Sequence, residues 1–346
     1  MEYVRLGATG VMVSRLCLGA MMFGQWGNPD HDESIDVIRT ALDSGINFID
    51  TADVYSKGES EEIVGKALKG RNRDDVILAT KFHTPMGEGP NDRGNSRKYI
   101  FRAVEASLRR LGTDYIDLYQ AHRPDPLTDV GETLTALTDL IRQGKVRYAG
   151  SSTFPAADIV EAQWVASERK LERFVCEQPP YSILVREIER AILPAAQKHR
   201  MGVIVWSPLA GGWLSGKFRR GRPVEKTGRA SRIPARFDET IPGNQRKYDA
   251  VEQLVPLAEE AGFSLVELAV AWVLEHPAVT SAIIGPRTLE QLKGQLSAGE
   301  IKIPQDVLDR IDEIVPPGTT LNPADNGYDP VWILQPQYRR RSLPSA

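Results

Sequence analysis

The sequence predicts a (β/α)8 barrel (TIM barrel), a closed ring of eight parallel strands with helices outside. Short apolar runs alternate with amphipathic helical patterns, and eight strand candidates follow one another at intervals of roughly 30 residues. Polar residues follow most of these strands. An open doubly wound sheet gathers its ligand contacts at one switch point, whereas a barrel uses the ends of many strands. The wide distribution of polar strand ends therefore favours the barrel.

The strands are predicted from apolar and β-branched runs bounded by turn residues. A small hairpin comes first, with β-prone residues 3–6 and 11–14 on either side of Gly7-Ala8-Thr9-Gly10. The barrel strands follow at residues 16–19, 47–49, 76–80, 115–120, 148–151, 174–177, 203–206 and 281–284.

The helices are predicted from apolar positions that recur with a period of 3.6 residues. Their apolar faces are Ile35, Ile38 and Leu42; Ile100, Val104, Leu108 and Leu111; Val130, Leu134, Leu137 and Ile141; Ile188, Ile192 and Ala196; Val251, Leu254 and Ala258; and Leu268 and Trp272. Capping boxes are predicted for the pairs Asp30/Glu33, Ser264/Glu267 and Thr288/Gln291. Glycine stops are predicted at Gly45, Gly112, Gly144 and Gly202.

Composition bounds the class of protein. The chain has 346 residues, 41% of them hydrophobic, and a net charge of -3. We interpret it as one domain, 1–346, because barrels of this size fold as single units. No apolar run approaches the roughly 18 residues of a membrane span, and the overall charge argues against a nucleic-acid partner. Cys17 and Cys176 lie in apolar runs, so we expect two buried free thiols in a cytoplasmic protein.

The candidate site begins where the second barrel strand breaks into polar residues. Asp50 ends that strand, Tyr55 follows it, Lys81 ends the next strand and His122 the one after. A tyrosine with a pKa near 10 is a poor proton donor at neutral pH. An adjacent ammonium lowers that pKa, and a carboxylate holds the ammonium in place. The set is therefore suited to protonating a carbonyl oxygen, with His122 orienting the substrate.

The motifs Asp50-Thr51-Ala52-Asp53-Val54-Tyr55, Ala79-Thr80-Lys81 and Gln120-Ala121-His122 resemble those of the aldo-keto reductase superfamily. The likeness runs from Arg5-Leu6-Gly7 to about Val315. It implies a barrel whose bottom is closed by the hairpin, and NAD(P)H-dependent reduction of aldehydes or ketones. It also implies that Asp50, Tyr55, Lys81 and His122 form the catalytic tetrad, with Tyr55 the general acid.

The resemblance also implies a set of cofactor contacts. Ser152 and Thr153 would hold the nicotinamide carboxamide together with Gln178, although the family usually has asparagine where Thr153 stands. Trp206 would stack on the nicotinamide ring. Backbone groups of Ser207, Leu209 and Gly211 would approach the pyrophosphate, with Lys217 nearby.

After the eighth strand, Gly285 and Arg287 precede a helix that carries Gln291 and Gln295. A phosphate at a helix N-terminus beside an arginine is physically favoured, and the family places the adenosine 2′-phosphate here. Gly294-Gln295 replaces the family's usual Glu-Asn. The implied cofactor is NADPH.

Two segments are predicted to surround the site. A basic loop at about residues 215–245 would cover the cofactor, and a tail would begin at about residue 316. Between Lys217 and Arg236 the chain has eight basic residues against one acid, Glu225, and we interpret this composition as binding a phosphorylated ligand. Candidates for the substrate pocket are Met22, Phe23, Trp26, Phe82 and Arg123.

Three alternatives stay open. Residues 211–217 fit the first seven positions of a phosphate-binding P-loop, but Phe218 stands where the magnesium ligand belongs. A metal-dependent barrel hydrolase would need paired histidine ligands, and the five histidines show no such spacing. Related barrels also serve as cofactor-binding regulatory or redox-sensing subunits with little turnover. The sequence does not indicate the oligomeric state.

Overall fold

The fold is a closed eight-stranded parallel barrel preceded by a two-stranded antiparallel hairpin, as predicted. A computed structural model describes residues 1–221 and 232–334. The ring order is β3-β4-β5-β6-β7-β8-β9-β10, and β10 pairs with β3 to close it. The strands are β1 Tyr3–Arg5, β2 Met12–Ser14, β3 Leu16–Gly19, β4 Phe48–Asp50, β5 Ile77–Phe82, β6 Ile116–Ala121, β7 Val146–Ser152, β8 Phe174–Gln178, β9 Gly202–Val205 and β10 Ser281–Ile284.

Helices surround the ring and alternate with its strands. They are α1 His31–Asp43, α2 Glu59–Leu68, α3 Arg97–Leu111, α4 Val130–Arg142, α5 Ala156–Glu168, α6 Ile192–Lys198, α7 Pro242–Glu260, α8 Leu265–Glu275, α9 Leu289–Leu296, α10 Gln305–Ile314 and α11 Val331–Leu334. Within the described residues, none of them has the length and apolar composition needed to cross a membrane.

The hairpin of β1 and β2 closes the barrel at the N-terminal ends of its strands. Leu6 and Val13 join Cys17 and Phe48 in an apolar cluster inside the ring. Gly7 lies against β9, where an added Cβ would come within 2.4 Å of a backbone nitrogen. This end is therefore packed shut, and ligands can reach the barrel only from the other rim.

Side chains alternate between the inside of the ring and the helices outside it. Along β5, Ala79 packs in the inner cluster, whereas Leu78 and Phe82 belong to the large core between strands and helices. Cys17 and Cys176 are buried free thiols, as expected. Towards the open rim the inward-facing side chains change from apolar to polar, and these polar side chains form the candidate site.

Several local predictions need correction. The pattern at Ile188 and Ile192 is not one helix, because a 3-10 turn at Glu187–Glu189 precedes α6. Gly202 begins β9 rather than ending a helix, and Arg200 takes the left-handed backbone instead. The capping box of Ser264 and Glu267 is present in full. The pairs at Asp30 and Thr288 are half-formed, since only the cap side chain accepts a bond there.

The basic loop is only partly as predicted. Its described arginines pair with the protein itself: Arg219 binds Glu252 of α7 through two hydrogen bonds of 2.9 and 2.6 Å, and Arg220 pairs with Asp249. Helix α7 begins at Pro242, inside the predicted loop. Contacts with α7 therefore account for part of its basic composition. Four further charged residues of the loop, Arg222, Glu225, Lys226 and Arg229, lie outside the described residues.

Candidate active site

A buried ion pair lies at the open rim. Lys81, at the end of β5, is fully buried and donates to Asp50 Oδ2 at 2.6 Å and to the carbonyl of Thr51 at 2.8 Å. Its third hydrogen bond goes to the Tyr55 hydroxyl at 3.2 Å. All three ammonium protons thus have partners, and the tyrosine is one of them.

Two glutamines hold the carboxylate of this pair. Gln178 Nε2 donates to Asp50 Oδ1 at 2.8 Å, and Gln120 Nε2 donates to the same oxygen at 3.2 Å. The two amides also bond each other at 3.2 Å. Asp50 is therefore fixed from both sides across the barrel interior.

Tyr55 stands between this network and the open mouth. The backbone turns sharply after it, since Ser56 and Lys57 both have positive φ. The Tyr55 ring lies 5.8 Å from the His122 ring, edge on, and 6.0 Å from the ring of Trp26. The structure thus brings Asp50, Tyr55, Lys81 and His122 together, in the arrangement expected from the sequence.

The electrostatics of Tyr55 differ from the expectation. Burial raises the pKa of its hydroxyl, and this outweighs the opposing charge of Lys81. The prediction that Lys81 makes Tyr55 a stronger acid than a free phenol is therefore wrong. Lys81 instead limits the rise in the pKa of Tyr55. Burial lowers the pKa of Lys81, but Asp50 and Tyr55 more than compensate, so the net pKa is raised. At neutral pH the site holds a protonated tyrosine beside an ammonium.

His122 is neutral in this environment. Burial lowers the pKa of its imidazole well below the ordinary value, and the charges of Arg123 and Lys81 lower it further. Its Nδ1 atom is buried and has no hydrogen-bond partner within the described part of the chain. A neutral imidazole can donate one hydrogen bond to a carbonyl oxygen without adding charge.

The loop after β7 carries the predicted carboxamide contacts. Ser152 Oγ donates to the carbonyl of Gln178 at 2.9 Å, and Thr153 has a positive φ of 60°. Both side chains are buried. The side-chain amide nitrogen of Gln178 donates to Asp50. The side-chain oxygen Oε1 of Gln178 is therefore the atom available to accept a hydrogen bond from a ligand amide.

The loop after β9 is made of tight turns. Trp206 is partly buried against the inner barrel cluster, and Ser207 and Gly211 have positive φ of 60° and 73°. Leu209 packs on the outer core. The N–H groups of Ala210 and Gly212 close tight turns onto the carbonyls of Ser207 and Leu209, so these two donors are used within the loop. Lys217 follows this loop with an exposed side chain.

The segment after β10 leads into the N-terminus of α9, an end of a helix that favours anions. Gly285 is open, since an added Cβ would meet no atom within 4 Å. The Arg287 amide donates to Gln291 Oε1 at 2.9 Å, just ahead of α9. Gln295 is buried and bonds the Gln291 carbonyl at 2.8 Å, while its own Oε1 has no partner among the described residues. This orphaned oxygen lies near the C-terminal end of α9 and the open glycine precedes its start, which fits a ligand that lies along the length of α9.

The predicted pocket residues separate into two groups. Trp26 and Arg123 lie beside Tyr55 and His122, and Met22 is buried nearby in the same loop as Trp26. Phe23 and Phe82 belong to the outer core, and Phe82 packs on Tyr119 at 4.8 Å. Their assignment to the pocket is corrected, because strand alternation turns Phe82 away from the interior.

Sequence reasoning missed three residues at or near the candidate site. Gln120 was noted within a motif but not as a partner of Asp50. Glu177 is fully buried and accepts from Ser151 Oγ at 2.5 Å, and burial raises its pKa to about 7. Arg232 lies over the Trp26 ring at 4.9 Å. The inward position of Gln120, two residues after Leu118, was the one signal that could have identified it.

No group of three or more histidine, cysteine, aspartate or glutamate side chains that could hold a metal ion occurs within residues 1–221 and 232–334. The arrangement instead offers a protonated tyrosine, a neutral histidine and a buried ion pair at one mouth.

Comparison with known proteins decides the family. The model of the Aldo/keto reductase family matches residues 15–316, which include the whole barrel. The chain belongs to the aldo-keto reductase family. The family is one of oxidoreductases that act on carbonyl groups, and the fold and the buried Asp50–Lys81 pair lie within the matched residues.

Individual relatives cover nearly the same length as this aldo-keto reductase. The "Uncharacterized oxidoreductase YrpG" of Bacillus subtilis (strain 168) is 42% identical over 326 residues, covering 91% of this chain and 96% of that protein. The "Aldo-keto reductase YhdN" of the same organism is 39% identical over 297 residues, covering 85% and 87%. The "Putative voltage-gated potassium channel subunit beta" of Schizosaccharomyces pombe (strain 972 / ATCC 24843) is 37% identical over 323 residues, covering 90% and 92%.

Proposed function

We propose that this protein reduces an aldehyde or ketone to the alcohol with NADPH, and that Tyr55 supplies the proton. The observation that carries the proposal is the continuous contact from Asp50 through Lys81 to the Tyr55 hydroxyl, with spacings of 2.6 and 3.2 Å, beside a neutral His122. A keto-sugar or another hydroxylated carbonyl compound fits the polar mouth.

The residues around the rim suit a dinucleotide. Ser152, Thr153 and the free oxygen of Gln178 would face a carboxamide, and Trp206 would pack on a flat ring. The turns after β9 and the start of α9 would take phosphates. When bound, the reduced nicotinamide supplies a hydride.

The chain's own residues supply the proton and the orientation. Tyr55 donates its phenolic proton to the carbonyl oxygen as negative charge develops there. Lys81 stabilises the tyrosinate that remains, and Asp50 keeps Lys81 charged in a buried position. His122 donates a hydrogen bond to the same oxygen without competing for the proton, because it is neutral.

Arg287 supports a preference for NADPH over NADH. Its amide bonds Gln291 at the start of α9, and its guanidinium would meet a phosphate placed at that helix end. Gln291 and Gln295 would contact the adenosine from the same helix. Lys217, after β9, would add a positive charge near the pyrophosphate.

The cellular setting follows the same proposal. The free buried thiols of Cys17 and Cys176 support a reducing compartment, the cytoplasm, and a small carbonyl compound is the expected partner. Residues 1–346 would form one domain, with the segment at about 215–245 and the tail from about 316 placed around the rim.

A second candidate is a cofactor-binding regulatory or redox-sensing subunit with little turnover. The specific observation in its favour is that the S. pombe relative, at 37% identity, is named as a putative voltage-gated potassium channel subunit beta. The two candidates share the cofactor site and differ in the rate of repeated turnover.

Turnover measurements distinguish the candidates. A set of aldehydes, ketones and keto-sugars is tested with NADPH and with NADH by the loss of absorbance of the reduced nicotinamide. Sustained turnover with NADPH supports the reductase. A single stoichiometric oxidation followed by slow exchange of the cofactor supports the regulatory subunit, and no oxidation with any carbonyl contradicts the reductase.

A further inference from the structure

Arg123 is a partly buried arginine that has no acidic hydrogen-bond partner among the described residues. Arg123 follows His122 at the end of β6, and its Nη1 donates to the His122 carbonyl at 2.6 Å and to Thr153 Oγ1 at 3.1 Å. Both acceptors are uncharged. Within residues 1–221 and 232–334, no carboxylate forms an ion pair with Arg123, and Nη2 and Nε donate no hydrogen bond.

Burying a guanidinium in this way costs stability, because a desolvated charge without an acidic partner loses its hydration and gains little in return. Burial lowers the pKa of Arg123, and the positive charge of Arg236 lowers it further. Glu177 lies near enough to raise the pKa of Arg123, but its oxygens accept from Ser151 Oγ and from the amide of Phe154 rather than from Arg123. Among the described residues, Nε and Nη2 of the guanidinium therefore have no acidic hydrogen-bond partner.

The topology of the barrel separates Arg123 from both segments proposed to bind phosphate. Strand β6 lies three positions from β9 and four from β10 around the ring of eight, so Arg123 is across the ring from the loop after β9 and from Arg287. Arg123 instead adjoins His122, and its charge acts on the Tyr55 hydroxyl. An anion that meets Arg123 thus belongs to the molecule whose carbonyl oxygen lies at Tyr55 and His122.

We propose that Arg123 recognises a negatively charged substituent on the substrate, so that the natural substrates are short carbonyl compounds bearing a carboxylate or a phosphate. This rests on the proposed reductase function and makes it more specific. The planar guanidinium with free donors suits the two oxygens of either group. Because Arg123 and the reacting oxygen share one mouth, the anionic group must be only a few bonds from the carbonyl.

The rival explanation is structural. Arg123 ties the end of β6 to Thr153 after β7, and its charge also favours the ionised form of Glu177. A purely structural role would affect all substrates equally. A recognition role would affect only those with the anionic group.

Two matched substrate pairs separate these roles and the two anion chemistries. Butanal is compared with 4-oxobutanoate, and glyceraldehyde with glyceraldehyde 3-phosphate, each with the wild-type enzyme and saturating NADPH. We expect at least one anionic member to exceed its neutral counterpart in kcat/KM by 10-fold or more, through a lower KM. The pair that shows the effect identifies carboxylate or phosphate as the recognised group.

Variants then assign the effect to Arg123. Arg123→Gln should lower kcat/KM for the preferred anionic substrate by roughly 10- to 100-fold, the usual consequence of losing a charge-assisted hydrogen bond. It should lower kcat/KM for the neutral partner by a clearly smaller factor, because that substrate loses only the influence of the Arg123 charge on Tyr55 and His122. Arg123→Lys should recover part of the loss, because it keeps the charge. Arg142→Gln, at the exposed end of α4, is the matched control and should retain the preference.

A binding measurement tests the role of Arg123 even if the protein turns over too slowly for kinetic comparison. Calorimetric titration of the NADP+-loaded protein with butanoate and with glycerol phosphate should show binding of one of them that Arg123→Gln weakens by the same factor. The proposal is overturned if neither anion binds and neither substrate pair shows a preference. It is also overturned if Arg123→Gln lowers kcat/KM by the same factor for the neutral and the anionic substrate. Absence of any carbonyl reduction, with anion binding intact, refutes the reductase but keeps Arg123 as an anion site.

Discussion

Replacing Lys81 with methionine removes the one cation that contacts Tyr55 within the buried network. The ammonium is fully buried, and its protons go to Asp50, to the Thr51 carbonyl and to the Tyr55 hydroxyl, the last at 3.2 Å. Methionine has a similar length but no charge, so the barrel interior stays filled while the electrostatic contact is lost.

The size of the effect follows from that distance. At an effective dielectric constant of about 20, charges 3.2 Å apart attract by roughly 5 kcal/mol. If about half of the tyrosinate charge has developed at the transition state, the barrier rises by roughly 2–3 kcal/mol, and the chemical step slows by roughly 30- to 150-fold. The variant also leaves Asp50 buried without its cation, which costs about 3–5 kcal/mol of unfolding free energy. The amides of Gln120 and Gln178 favour the lower part of that range.

The assay is the single-turnover oxidation of bound NADPH by a good carbonyl substrate, recorded across pH. Proton donation needs the protonated tyrosine, so the rate is maintained below the pKa of Tyr55 and lost above it. Removing the ammonium raises that pKa, and the alkaline limb moves to higher pH. Lys247→Met is the matched control, since Lys247 is equally buried and pairs with Asp325. It should destabilise the fold without moving the limb. A Lys81→Met variant with a wild-type rate, or with its limb at lower pH, refutes the assignment.

Three further variants test other parts of the structure. Arg287→Ala should weaken NADPH binding by about 1–3 kcal/mol and leave NADH binding unchanged, as measured by fluorescence titration. Glu177 has a folded-state pKa of about 7 against an ordinary value of 4.5, so the folded state holds the extra proton and unfolding free energy falls as pH rises from about 4.5 to 7. Glu177→Gln should remove this fall of up to about 3 kcal/mol, measured by urea unfolding at several pH values. Gly327→Ala should destabilise the fold, because φ is +80° at Gly327, and should weaken cofactor binding, because the new Cβ would lie 2.6 Å from Trp206 Cζ2. The control is Gly262→Ala, where φ is +79° and an added Cβ meets no atom within 4 Å. This control should destabilise the fold without affecting cofactor binding.

Each of these has a contrary outcome. Equal losses of NADPH and NADH binding would show that Arg287 does not contact the 2′-phosphate. A slope of stability against pH that survives Glu177→Gln would assign the proton to another group. Cofactor binding that is unchanged by Gly327→Ala would show that the segment around Gly327 does not hold Trp206 in the position that the cofactor needs.

Residues at the strand ends could be predicted from sequence because a buried strand that breaks into polar residues reveals its own end. Asp50, Lys81 and His122 were located in this way, and Tyr55 follows the same break. The fold followed from the alternation of such strands with helices. The prediction needed no contact information, since parallel strands in a barrel all point to one rim.

The facing of side chains and their long-range pairs could not be predicted. Phe82 stands between Lys81 and His83, and polar residues occupy consecutive positions at this strand end, so the local pattern does not show which way Phe82 faces. Arg219 finds its acid 33 residues away on α7, a pairing that local sequence does not specify. The pKa of Tyr55 depends on how deeply the hydroxyl is buried, and in the folded protein that burial outweighs the charge of Lys81.

The central claim is that Tyr55 donates the proton in carbonyl reduction, and Tyr55→Phe tests it most directly. Phenylalanine keeps the ring between Trp26 and His122 and removes only the hydroxyl that Lys81 contacts at 3.2 Å. With saturating NADPH and a good aldehyde, the single-turnover rate should fall by at least about 100-fold, as expected for loss of a general acid. NADPH binding by fluorescence should stay within about 2-fold of wild type. A Tyr55→Phe variant that reduces the aldehyde at a near wild-type rate would contradict the claim.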